Sequence, residues 1–187
     1  MSEALQFLVD RIETPVGKMF VVADHQGNLR ALYFADYKDG MHRALARHYG
    51  KDGFALTEAR NPHGLSEAIV NYFAGDLRAI DKLPVKTAGT KFQREVWSAL
   101  REIPCGKTIS YGELARRIGR PKAVRAVGLA NGSNPIGVVV PCHRVIGSNG
   151  TLTGYGGGLE RKHWLLQHEG ALAETKAEDR PQQKLPY

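Results

Sequence analysis

The chain has 187 residues, 42% hydrophobic and 24% charged, enough for one compact domain or two small ones. No apolar run approaches a membrane span, the opening MSEALQFLVDRIETP lacks the order of a secretion signal, and two cysteines make no disulfide framework, so a soluble protein of a reducing cytoplasm is expected. The net charge of +7 is uneven: residues 86–170 hold thirteen Lys/Arg against five Asp/Glu, which favours a polyanion partner such as nucleic acid, although charge kept for solubility would read the same way.

In chain order, LQFLVDRIE, KMFVVAD and NLRALYFA are β-rich runs separated by the turn signals TPVG and DHQGN, which predicts an antiparallel meander. DGMHRALARHYG has helical spacing of Met41, Leu45 and Tyr49 and closes on Gly50. NPHGLSEAIVNYFAGD puts Leu65, Ile69, Tyr72 and Phe73 on one face before Gly75. Residues 77–89, with Pro84 and no clean period, read as the connection between two domains, 1–85 and 86–170.

Beyond it the pattern turns helical. TKFQREVWSALREI opens on Thr90 as a cap, with Phe92, Val96, Trp97 and Leu100 on one stripe. ISYGELARRIG has Ser110 as a cap and Glu113 three residues on, the spacing of a capping box. RPKAVRAVGLANG places Pro121 near the first helical position. Broken at Ile118, Gly119 and Arg120, the two segments predict a helix-turn-helix. VVVPCHRVI reads as a buried strand or turn, GGLERKHWLLQHEG as a closing helix with a basic exposed side, and residues 171–187 as a flexible tail.

Cys142 is the candidate for chemistry. A lone cysteine is more often a buried structural one, and neighbours on a strand point to opposite faces, so Cys142 and His143 meet only if a turn brings them together. The context shifts that weighing. Pro141 fixes the chain before the thiol, and glycines at 147, 150, 154, 156, 157 and 158 allow close backbone approach after it. His143, Arg144 and nearby helix termini could help the thiol ionise. Glu169 is placed to orient an imidazole, against the plainer reading of a solvated acid at a helix end.

PCHRVIG, preceded by NGSNP and followed by GYGGGLERKHWLLQHEG, resembles the O6-alkylguanine-DNA alkyltransferases, the methylated-DNA–protein-cysteine methyltransferases. FQREVWSALREIPCGKTISYGELARRIGRPKAVRAVG and, more loosely, NYFAGDL extend the resemblance over nearly the whole chain. It implies a ribonuclease-H-like α/β N-terminal domain and a mainly α, winged-helix C-terminal domain. It also implies direct-reversal repair: irreversible, stoichiometric transfer of the alkyl group from O6-methylguanine in DNA to Cys142, with O4-methylthymine as a second substrate and the nucleotide flipped through the minor groove.

The roles that the resemblance implies fall on individual residues. Cys142 would be the acceptor, His143 a base acting through a water, Glu169 the carboxylate behind it, and Asn134 the residue that holds the active-site turn. Tyr111, Tyr155, the N–H of Gly156 and the carbonyls of Cys142 and Val145 would surround the flipped base. Arg125 would fill the vacated stack, beside Lys122, Ala123, Ala126 and Gly128 at the DNA. Small residues on that helix (Ala130 and Gly132 with those named) suit a narrow minor groove and indifference to sequence. Unstacking a nucleotide costs a few kcal/mol, so a side chain that fills the gap slows its return.

No metal or other cofactor is expected, because residues 1–104 contain no cysteine and the histidines there have no ligand spacing. The expected partner is double-stranded DNA containing O6-alkylguanine, met in a bacterial cytosol by a stand-alone, monomeric protein; whether it clusters on DNA is left open. Three other readings compete. A Cys–His hydrolase would have no use for a helix-turn-helix. A binder that only flags lesions would lack the acceptor cysteine. A transcription factor would need more base-edge donors than the Ala/Gly-rich segment 121–131 offers.

Overall fold

The computed structural model describes residues 3–172, without the side chains of Lys38 and Asp39; the tail expected from 171 onward therefore lies almost wholly outside the described residues. Strands β1 (Leu5–Ile12), β2 (Met19–Asp24) and β3 (Leu29–Phe34) form the predicted meander. A fourth strand corrects the picture of a purely antiparallel sheet. After helix α1 (Lys38–Tyr49), β4 (Phe54–Glu58) pairs in parallel with β1, giving the order β3-β2-β1-β4.

Both faces of this sheet are covered, so β2 is buried along its whole length. Alternate side chains go to opposite sides. Phe7, Phe20, Val22 and Ala31 pack under Met41 and Leu45 of α1. Met19, Val21, Ala23 and Leu32 face the other way, onto Leu65, Ile69 and Tyr72 of α2 (Leu65–Phe73). That second cluster continues into the C-terminal half through Trp97, Leu100, Val140 and Leu165. One core thus spans both halves of the chain.

The C-terminal half contains α3 (Lys91–Leu100), β5 (Ile109–Ser110), α4 (Tyr111–Arg117), α5 (Val124–Gly132), β6 (Val145–Ile146) and α6 (Leu159–His168). Thr90 caps α3 with a reciprocal bond from Gln93. Ser110 caps α4, but the box is only half made, because Glu113 turns instead to Arg116 and Arg117. Pro121 lies in the turn ahead of α5 rather than inside it, since the helix begins only at Val124. Trp97 Nε1 donates to the Ala130 carbonyl at 2.8 Å and pins α3 to α5.

The edge of β3 positions the site. Leu29 N donates to Pro84 O and Lys86 N to Leu29 O, so the connection between the halves lies along the sheet rather than hanging free. Further along, Leu32 N donates to Pro135 O at 3.0 Å and Gly137 N to Leu32 O at 3.3 Å. An exposed edge that would template foreign pairing is thereby closed. The same bonds lay the run leading to Cys142 against the first domain.

Candidate active site

Cys142–Arg144 form one turn of 3-10 helix, entered from Pro141, so the thiol and the imidazole do not follow the strict alternation of a strand. Val138, shortly before it, is fully buried with φ at 70°, a left-handed conformation that a β-branched residue rarely adopts. Cys142 is 8% exposed and lies on a cavity of about 730 Å³. Asn134, Tyr155 and Gly156 line the same cavity, and Tyr33, Arg43 and Arg47 reach it from the first domain.

Behind the turn sits a buried polar cluster. His143 is fully enclosed, with Nε2 2.8 Å from Glu169 Oε1. A carboxylate only accepts, so Nε2 carries the proton and Nδ1 keeps its lone pair. Among the described residues Nδ1 has no hydrogen-bond partner. Glu169 is crowded with donors: Tyr72 Oη at 2.7 Å and Arg144 Nη2 at 2.9 Å also reach Oε1, while Arg144 Nε reaches Oε2 at 2.9 Å. Arg144 Nη1 donates to Ile103 O at 2.6 Å. Burial alone would raise the Glu169 carboxyl, but His143 and Arg144 outweigh it and hold the group far below the usual carboxylate range.

Burial pushes the Cys142 thiol above its ordinary value, against the pull of the Asn134 side chain, the Lys162 charge and nearby backbone N–H groups. Burial likewise pulls His143 below its ordinary value, against Glu169. Both shifts favour the uncharged forms of the two side chains.

Lys162, Asn131, Arg144 and Tyr72 were not singled out as site residues by motif, apart from the mention of Arg144 beside the thiol. Lys162 is fully buried, and Nζ donates to Val145 O at 2.7 Å and Thr153 O at 2.8 Å. Its burial pulls the ammonium down to about 8. Asn134 bonds at both ends, Nδ2 to Val140 O at 2.7 Å and Oδ1 from Ile136 N at 2.9 Å. Asn131, buried on α5, points Nδ2 at Cys142 O from 3.4 Å. The Cys142 carbonyl also accepts from Val145 N. Both carbonyls expected to read a base amine therefore hold a donor already, and another would use remaining acceptor capacity.

The other expected residues are placed as follows. Tyr111 opens α4 outside the cavity, donates from Oη to Thr153 O at 3.1 Å, and lies against Gly128 of α5. Lys122, Arg125 and Ala126 are exposed, Ala123 is half-buried ahead of the helix, and Ala130 faces inward. A Cβ at Gly156 would meet nothing within 4 Å, so a side chain has room there. At Gly157 it would stand 2.6 Å from the Phe34 ring, so that glycine is what lets the loop close onto β3.

Two family descriptions match the chain: 6-O-methylguanine DNA methyltransferase, ribonuclease-like domain, over residues 9–87, and 6-O-methylguanine DNA methyltransferase, DNA binding domain, over residues 91–171. The methylated-DNA–protein-cysteine methyltransferase of Salmonella typhimurium is 56% identical over 168 residues, covering 90% of this chain and 98% of that one. The protein of the same name from Methanosarcina acetivorans is 43% identical over 159 residues, covering 85% and 96%. Among solved structures, Mycobacterium tuberculosis OGT in complex with DNA matches with a TM-score of 0.72 at 40% identity, over 89% of this chain and 94% of that one. Fold and matches together define a two-domain protein, ribonuclease-like and then DNA-binding. The chain belongs to the 6-O-methylguanine DNA methyltransferase family.

Proposed function

We propose that this protein repairs DNA directly, moving the alkyl group of O6-methylguanine onto Cys142 once per chain. The observation that carries this reading is Cys142 on an open cavity, backed by the enclosed His143–Glu169 pair. The step is a displacement at the methyl carbon. The Cys142 S–C bond forms as the C–O6 bond breaks, and the electron pair of that bond goes to the guanine. The thiol proton leaves through a water to His143 Nδ1, the ring nitrogen still holding a lone pair, and is returned to the departing base.

Glu169 keeps the imidazole in the tautomer that can take that proton, and Asn134 and Lys162 lower the cost of sulfur charge as it develops. Tyr111, Tyr155, Gly156 and the Val145 carbonyl hold the flipped base. The C-terminal domain acts as a winged helix from residue 86, with α4 and α5 as its helix-turn-helix and the β5–β6 ladder behind them. Arg125, flanked by Lys122, Ala123, Ala126 and Gly128, enters the minor groove as the nucleotide leaves the stack. The setting is the bacterial cytosol, the protein acts as a monomer, and O4-methylthymine is a second substrate.

Intact mass after incubation with duplex O6-methylguanine DNA, followed by peptide mapping, tests this. One added methyl on Cys142 and none elsewhere is expected. Continued turnover with unmodified Cys142 would replace this reading with a hydrolase.

A further inference from the structure

Among the described residues, five large hydrophobic side chains are exposed, and two of them, Val124 and Leu129, sit on the nine-residue helix α5. Leu129 is 71% exposed, the most open of the five. A lone surface leucine needs no explanation. This one stands one turn beyond Arg125 on the same outward face, while Val127, Ala130 and Asn131 bury the opposite face and fix the helix orientation. Two exposed basic side chains precede it, Arg125 one turn back and Lys122 ahead of the helix.

We propose that Leu129 is a second, apolar wedge, entering the minor groove of duplex DNA beside Arg125. This rests on the reading of α5 as the DNA-contacting helix. An apolar side chain one turn from a cation suits that groove, whose walls are sugar C–H groups under flanking phosphates. Leucine is also among the residues that pry base steps apart in minor-groove complexes. Four residues of helix advance about 6 Å, between one and two base steps of about 3.4 Å. Leu129 therefore reaches a step next to the one that Arg125 enters. Arg125 holds the space of the departed nucleotide, and Leu129 weakens the neighbouring stack.

The test compares the wild type with L129A, L129M and R125A. Measurements are duplex affinity across a salt series, methyl transfer from duplex DNA, and alkylation by free O6-benzylguanine. L129A should weaken duplex binding roughly tenfold, about 1.4 kcal/mol, with the slope of log affinity against log salt unchanged because no phosphate contact is lost. Transfer from duplex should slow in parallel, while reaction with the free base stays at the wild-type rate. L129M, which keeps apolar bulk, should retain most of the binding.

L129A affinity within twofold of wild type would overturn the wedge, as would an equal loss on the free base. Self-association of the DNA-free wild type that L129A abolishes would assign this face to a second copy instead. A wild-type protein that transfers no methyl from duplex would sink the underlying functional reading, a result distinct from any of these.

Discussion

Tyr72 Oη stands 2.7 Å from Glu169 Oε1, a hydrogen bond between residues 97 positions apart that ties α2 of the first domain to the carboxylate behind His143. Tyr72 is fully buried, and burial together with the Glu169 charge pushes its phenol up, so it stays a donor. Tyr72→Phe should lower stability by about 1.5–3 kcal/mol, the usual worth of a hydrogen bond to a charged group. Alkylation by free O6-benzylguanine should slow with it, since His143 loses a fixed reference. Urea unfolding and timed intact mass check both, and wild-type behaviour in both would show the bond to be idle.

Burial raises both cysteine thiols, and their surroundings tell them apart. Burial and Glu169 push the Cys105 thiol up too, but it does not line the cavity. Cys142→Ala should abolish methyl transfer and keep DNA binding, whereas Cys105→Ala should transfer one methyl per chain. The opposite pattern in a mass assay would move the acceptor.

Arg125 is exposed and makes no ion pair among the described residues. Arg125→Ala should slow repair of duplex lesions far more than reaction with free O6-benzylguanine, which needs no extrusion. Single-turnover rates on the two substrates give the comparison, and equal losses would remove its role in flipping.

Stability should fall as pH drops from 7 to 4. His143 is held below its ordinary 6.5, so below that pH the unfolded chain takes a proton that the buried ring refuses, and stability declines. Glu169 is held below its ordinary 4.5; the stability it contributes is full above that value and is lost as pH falls toward the folded one. The two slopes add, with His143 acting first. Urea midpoints at pH 7, 6, 5 and 4 measure this, and a flat profile would contradict it.

Lys162→Met keeps the stem and removes the buried charge. Losing Nζ takes a donor from the Val145 and Thr153 carbonyls, so the variant should lose about 1–3 kcal/mol of stability while the apolar stem still fills its space. Its thiol should react more slowly at neutral pH and need a more alkaline medium, since the cation that draws Cys142 down is gone. A rate–pH profile that overlays the wild type would refute this.

Much of the architecture was legible where a pattern repeats locally. The stripe Val96, Trp97 and Leu100 and the run MFVVAD declare their buried faces, and both are buried. β4 was not legible, because FALTE is a short, half-exposed edge strand whose pairing partner lies at the start of the chain. Lys162 left a trace that could have been used: it falls at helical spacing between Leu159 and Leu165, a cation on an apolar stripe. Asn131, beside Val127 and Ala130, left the same kind of trace. The Tyr72 hydroxyl left none, since nothing local in NYFAGD points to a carboxylate almost a hundred residues away.

Residues 134–142 are fastened at both ends, by Leu32 of β3 on one side and by the two asparagines of the α5 region on the other, with the sulfur in between. Under the proposed reaction a methyl left on that sulfur adds bulk between these anchors at the cavity wall, and where it finds no free space overfilling typically costs about 1–3 kcal/mol. The chemical history of each molecule is thereby written into its shape. A spent chain is then expected to grip its two halves, and its DNA, less firmly than a fresh one, which would let a protease sort used from unused copies by looseness alone.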